Sequence, residues 1–168
     1  MKDHIVTGLE LSCICCDNDD VALVDTSATR DNKPEPKPCL IYEYCVLRYV
    51  ADVEREEFVN VGLMMMCKRR RWMEVRLHID EERLRCIFHR SDPERLRKQL
   101  GVFIRKDVPS ADLPVEERYR WLAAVKSAII QTSPTHPGII RYPDDASGAD
   151  QTRLLSERFD TLFNRLIL

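Results

Sequence analysis

No stretch of this chain is apolar for long enough to cross a bilayer. The longest uninterrupted run, Val61 to Cys67, falls well short of the roughly 20 residues that a spanning helix needs. The N-terminus also lacks the basic, apolar and small-residue order of a secretion signal, so a cytoplasmic protein is expected. There is no GxxxxGK[ST], no GxGxxG and no HExxH, which removes the P-loop, dinucleotide-binding and zincin readings. Charge of one sign is missing too. The formal net charge is −2, and residues 39 to 168 hold twenty acids against twenty-two bases, too even a balance to be a nucleic-acid footprint.

Seven cysteines, an odd number, occur without an export signal, so they are read as reduced thiols and not as a disulfide framework. Cys45 and Cys67 lie in apolar runs, where a thiol serves as a small hydrophobe. Cys13, Cys15 and Cys16 form the one grouping suited to a soft metal. They lack a second CxxC or a His pair to complete four ligands, and no metal or cofactor is expected.

What is present suffices for one domain with its own core: 168 residues, 44% hydrophobic and 32% charged. Residues 1 to 38 show no sustained helical or strand period. They end in Asp31-Asn32-Lys33-Pro34-Glu35-Pro36-Lys37-Pro38, where prolines alternate with charge and favour an extended, solvated linker. An N-terminal arm over 1–38 and a single domain over 39–168 are therefore expected.

The domain begins with LIYEYCVLRYV at Leu40 to Val50, β-branched, aromatic and free of glycine and proline, hence a strand. Val61 to Cys67 suits a strand covered on both faces or central in a sheet. After the basic turn Lys68 to Arg71, the segment Trp72 to Ile79 alternates. Met73, Val75, Leu77 and Ile79 face a core, while Trp72, Glu74, Arg76 and His78 face water. The period then lengthens. Asp80 caps a short helix bearing Leu84, Ile87 and Phe88. Asp92-Pro93 opens a second with Leu96, Leu100, Phe103 and Ile104, and Pro114 to about Val125 makes a third with Tyr119, Leu122 and Ala123 inward. A last helix from about Asp150 buries Leu155, Phe159, Leu162, Phe163 and Leu166. Ala128 to Thr132 adds an edge strand before a proline-punctuated loop. The expected fold is α+β: an antiparallel meander of three to four strands with helices packed on one face.

Two stretches, YEYCVLRYVADVEREEFVNVGLMMMCK at Tyr42 to Lys68 and ERYRWLAAVKSAIIQTSPTHPG at Glu117 to Gly138, resemble the bacterial family catalogued as domain of unknown function 3037. The pieces that carry the resemblance are EREEFVNVG, RYRW and QTSPTHPG, and it extends from Tyr42 through the final helix. That family has no established activity. Its members are small cytosolic proteins often encoded beside HipA-like serine/threonine kinases, so the resemblance implies a regulatory protein partner. Where family members tend to carry proline and arginine after RYRW, this chain has Val125 and Lys126; a basic residue is kept, but not the planar fork of arginine.

Two polar groupings are candidates for a site. EREEFVN offers Arg55, Glu57 and Asn60, which on a strand divide between opposite faces; a charged edge with an Asn serving a bulge near Gly62 is the plainer account of them. Lys126, Gln131, Thr132, Ser133 and His136 supply hydroxyl, amide, ammonium and imidazole donors fit for phosphate or carboxylate oxygens. The same Ser, Thr and Pro residues are also those that shape an ordinary turn. No nucleophile elbow or triad spacing accompanies Ser133 and His136. Glu56, Glu57 and Lys126 hold the minimum for metal-assisted phosphate hydrolysis, and Lys68 to Arg71 beside Trp72 the minimum for nucleic-acid contact. The reading preferred is a protein-binding or regulatory module, with a phosphate-substrate enzyme such as a metal-dependent nuclease, and a nucleic-acid-binding module, as the alternatives.

Overall fold

The computed structural model describes residues 38–88, 92–105, 107, 110–124 and 127–168. The cysteine trio at 13, 15 and 16, His89, Val125 and Lys126 lie outside the described residues, as does nearly all of the expected arm. Among the described residues the element order is β1 (Cys39–Asp52), β2 (Glu57–Cys67), β3 (Trp72–Leu77), α1 (Glu81–Ile87), α2 (Pro93–Leu100), a 3-10 turn (Gly101–Phe103), α3 (Val115–Ala123), β4 (Ile130–Thr132), β5 (His136–Arg141) and α4 (Gly148–Leu166). The α+β class and the antiparallel sheet agree with the sequence reading. The sheet has five strands, with β3, β2 and β1 as a meander and both β4 and β5 paired to the far edge of β1.

The added strand, β5, spans what reads in sequence as a loop. Pro137 and Gly138 suggest a break, yet each finds a place in the ladder. Tyr142 N donates to Pro38 O at 3.2 Å, and Leu40↔Ile140, Tyr42↔Gly138 and Tyr44↔His136 follow in the same register. Hydrogen-bonded and non-bonded pairs alternate in an antiparallel ladder, so Pro137, Ile139 and Arg141 turn their backbone groups away from β1. Proline at an outward position costs the ladder no donor. Gly138 is needed because the Tyr42 ring lies where its Cβ would be, 2.2 Å from the ring's Cζ.

Helices cover both faces of the sheet, not one. Residues 45, 47 and 49 of β1, with Val59, Val61, Met64 and Met66 of β2, pack under Leu84, Leu96, Leu100, Phe103, Tyr119 and Leu122 of α1 to α3 and the turn between α2 and α3. Leu40, Tyr42 and Val46, with Leu63, Met65 and Cys67, pack under Leu155, Phe159, Leu162 and Phe163 of α4. The unbroken apolar run of β2 is the sequence trace of this two-sided burial. The expected water face of β3 is partly covered at Trp72, Glu74 and Arg76, while His78 is exposed as expected. Trp72 meets Phe159 edge-on at 6.2 Å, and the Arg76 guanidinium lies over the Phe159 and Phe163 rings while bonding Asp160 at 2.7 Å and Glu74 at 2.6 Å. Arg76 covers apolar rings with its flat face and keeps its charge satisfied at the rim.

Caps follow the local code. Asp80 accepts from Arg83 N and Asp92 from Arg95 N, with Pro93 in the first turn of α2. Ser147 and Asp150 form a full capping box at the start of α4. Two apolar residues assigned inward from their spacing point out: Ile87 is 44% and Ile104 54% exposed. Their helices stop at Ile87 and Leu100, too early for another turn to be pinned to the sheet.

A bulge sets the register of the central hairpin. Leu47 pairs with Gly62 and Arg48 with Asn60, which leaves Val61 as the extra residue and turns Val61 and the Met64, Met66 pair to one face. A Cβ on Gly62 would lie 2.8 Å from Leu77 Cδ2 and 2.9 Å from the Arg76 carbonyl oxygen. The second contact is backbone and cannot swing away. Gly62→Ala is therefore expected to destabilise the domain by about 1–3 kcal/mol, the usual range for overpacking; chemical denaturation followed by circular dichroism measures it, and a change under about 0.5 kcal/mol would show that the bulge relaxes freely.

Candidate functional site

The residues singled out from sequence do not converge. Arg55 and Glu57 sit at the exposed β1–β2 tip and bond each other at 2.7 Å, a pairing that holds the Arg55 guanidinium above its ordinary range. Asn60 is on the α4 face, donating from Nδ2 to the Leu166 carbonyl at 2.9 Å. It therefore ties off the C-terminal end of α4, where carbonyls have no helical partner. Lys126 lies outside the described residues.

The QTSPTHPG segment splices β4 to β5. Gln131 Nε2 donates to Ala128 O at 2.8 Å and Thr132 Oγ1 to Ala123 O at 2.6 Å, so both serve the backbone leading out of α3. Ser133 is buried. Its N–H donates to Val46 O at 2.8 Å, while its Oγ accepts the Val46 N–H at 2.9 Å and donates to Pro134 O at 2.8 Å. The hydroxyl takes the place of a main-chain carbonyl where the ladder shifts by one residue between β4 and β5. His136 packs against Tyr44, with centroids 5.2 Å apart and the rings tilted by 34°. On the other face, Thr135 Oγ1 and the Tyr119 hydroxyl are 3.4 Å apart, and that hydroxyl also bonds the Cys45 thiol.

The basic turn is also largely engaged. Lys68 pairs with Glu116 at 3.2 Å, Arg69 donates to Cys39 O at 3.3 Å and Arg70 to Gly148 O at 3.0 Å. Arg71 adopts φ 47° and borders a cleft of about 700 Å³ together with Arg118, Asp112 and Glu116, in which both charge signs are represented. Among the described residues no three His, Cys, Asp or Glu side chains gather as a metal site would require, and no helix is long and apolar enough to cross a membrane.

One surface stands apart because, among the described residues, no helix covers its apolar row. On the face shared with α1 to α3, the N-terminal end of β1 runs beyond those helices. Ile41 and its cross-strand partner Ile139 are 53% and 63% exposed. Beside them a groove of about 580 Å³ is lined by Cys39, Ile41, Glu43, Met66, Lys68 and Arg69. The row is flanked by Pro137, opposite Glu43, and by Arg141, opposite Cys39. The sequence signal was available as the alternation through CLIYE and HPGIIR, but Ile41 could be recognised as uncovered only once β5 and the short reach of α3 were known.

The family described as a protein of unknown function, DUF3037, matches residues 44–163. The chain belongs to that family. No curated protein and no solved structure matches it. The matched span of the DUF3037 domain holds the central hairpin, α1 to α3, the β4–β5 splice and most of α4; Cys39 to Glu43, which form half of the exposed apolar row, precede it.

Two outcomes test these roles. Ser133→Ala leaves the buried Val46 N–H without its acceptor and is expected to cost about 1–3 kcal/mol in denaturant unfolding, whereas Gln131→Ala, on a partly exposed side chain, stays within about 0.5 kcal/mol. The second concerns alkaline pH. Burial pushes the Cys45 thiol from 9.0 up to about 11, against the Tyr119 hydrogen bond that lowers it, and burial likewise raises Tyr119. A proton held more tightly in the folded state favours folding fully below about pH 9, and the advantage is lost as pH climbs towards about 11. Unfolding free energy should fall across that window by up to about 3 kcal/mol from Cys45, and Cys45→Ala should flatten the slope; an equally steep decline in the variant would assign it elsewhere.

Proposed function

We propose that this DUF3037 domain is a protein-binding module whose contact is the uncovered end of the sheet, taking an extended strand of another polypeptide along the edge of β5 that no other described strand pairs. The observation that carries this reading is the coincidence of two features in one residue. Ile139 presents an exposed apolar side chain beside Ile41, and in the β1–β5 register its N–H and C=O also point away from the sheet. Backbone bonds along such an edge supply affinity and the apolar row supplies specificity. A bare edge of this kind otherwise invites uncontrolled pairing.

The polar candidates support a scaffold more than a reaction centre. Ser133, Thr132, Gln131 and Asn60 all spend hydrogen bonds on the main chain. Three of the four bases in the Lys68 to Arg71 turn are likewise engaged, which favours protein over nucleic acid as the partner. A HipA-like kinase, the partner implied by the family resemblance, is the first protein to try, and a cytoplasmic setting fits that choice.

The test compares capture of that kinase by the full-length chain with capture by Ile139→Lys and Ile41→Lys, and follows amide exchange at Ile139 and Arg141. The wild-type chain is expected to retain the protein at salt-insensitive stoichiometry with slowed exchange at both amides. Either substitution should weaken binding more than about tenfold, as loss of an apolar anchor does. Equal retention by both variants, or retention of nucleic acid alone, would remove the uncovered sheet end as the docking face.

A further inference from the structure

We infer that the strand received by the edge of β5 is β5 of a second copy of this chain, giving a two-fold dimer in which the sheets continue through one another. The inference rests on the docking reading above and names the occupant of the edge when no other protein is bound, so a partner such as the kinase takes the edge by displacing the second copy.

The sequence of β5, His136-Pro137-Gly138-Ile139-Ile140-Arg141, is self-complementary in one register. Only residues 137, 139 and 141 have outward backbone groups, so a symmetric antiparallel partner must be centred among them. Centring on Ile139 lets the two Ile139 residues exchange N–H and C=O bonds with each other. Each Arg141 N–H then donates to the Pro137 carbonyl of the other copy. The donor that proline lacks falls opposite the Arg141 carbonyl, at the outer end of the ladder where water reaches it. Shifting the register by two residues in either direction places Ile139 opposite Arg141 or Pro137 and separates the isoleucines.

Side chains agree with the same register. A two-fold axis perpendicular to the sheet keeps like faces together, so one row reads Ile41, Ile139, then Ile139 and Ile41 of the second copy. That row converts two exposed apolar pairs into a continuous strip. The neighbouring row reads Cys39 and Arg141, then Pro137 and Glu43 of the second copy. Arg141 therefore faces a flat proline with a carboxylate beyond it, two strand spacings or about 10 Å away along the ladder, within reach of the two extended side chains. Arg141 is exposed and has no ion-pair partner among those of the described residues. Opposite charges thus meet across the axis twice, while like charges do not.

Sedimentation velocity and light scattering of the full-length chain, run from low to high micromolar concentration, decide the matter. The expected result is a species of twice the 19.6 kDa chain mass. Ile139→Lys should return it to a single chain mass with an unchanged circular dichroism spectrum, since the side chain is exposed. Arg141→Glu should weaken the dimer more than tenfold, and the double variant Glu43→Arg/Arg141→Glu should recover much of that loss, as only a reciprocal contact between copies allows. A wild-type chain that stays monomeric throughout, or a dimer that survives Ile139→Lys, overturns the inference. A monomeric chain that still binds a different protein through Ile139 overturns the second copy as occupant and leaves the docking face standing; a monomer whose capture is indifferent to Ile139 removes both.

Discussion

Every other element of this fold answers to the demands of one strand. β1 runs for fourteen residues from Cys39 to Asp52, and along most of that length both of its backbone edges are bonded and both of its faces are covered. A buried N–H or C=O without a partner costs about 1–3 kcal/mol, so a strand in this position needs a complete neighbour on each side. On one side β2 supplies it in a single piece. On the other side the neighbour is made of β4 and β5, and their junction is closed by the Ser133 hydroxyl standing in for a carbonyl opposite Val46. The hydroxyl is where the continuity of the sheet is kept through a change of register.

The same strand explains where the exposed surface comes from. Fourteen residues of strand extend roughly 45 Å, whereas α1, α2 and α3 hold seven, eight and nine residues and span about 10–14 Å each. Three such helices cover the sheet from the hairpin tip as far as Met66, and α3 ends its coverage at the Lys68–Glu116 ion pair. The opposite face is served by α4, whose nineteen residues lie along Leu40, Tyr42, Val46 and the alternate positions of β2. The two faces of one sheet thus carry roofs of unequal reach. Ile41 and Ile139 are exposed because of that difference, not because the strands there are irregular.

Polar residues in this domain are mostly employed in holding the frame. Arg76 lies over Phe159 and Phe163 while bonding two carboxylates; Asn60 finishes the last turn of α4; Tyr119 under α3 links the buried Cys45 to Thr135 at the surface. Each has the chemistry that active sites use, in a setting that uses it for packing. Residue type alone does not separate these roles, since a hydroxyl that bonds a backbone amide and one that awaits a substrate are the same group until their neighbours are known.

Much was legible in the chain itself, for a reason that can be named. Alternation in Trp72 to Leu77, the unbroken run of β2, the Asp80 and Asp92 caps and the apolar stripe of α4 are local patterns. They involve residues within a few positions of one another, and local sterics and hydrogen bonding dictate them. Family membership was legible for the same reason, through EREEFVNVG and QTSPTHPG. What only the tertiary structure decided were matters of partnership between distant segments. Pro137 and Gly138 became strand residues because β1 presents an edge on which an outward proline loses nothing and a glycine makes room for Tyr42. The polar face of β3 became partly covered because α4, some eighty residues later, brought two aromatic rings to Arg76. Ser133 became a backbone acceptor and Ile139 an exposed side chain by the same rule: burial and pairing are properties of what arrives opposite a residue, and that is set by the path of the whole chain.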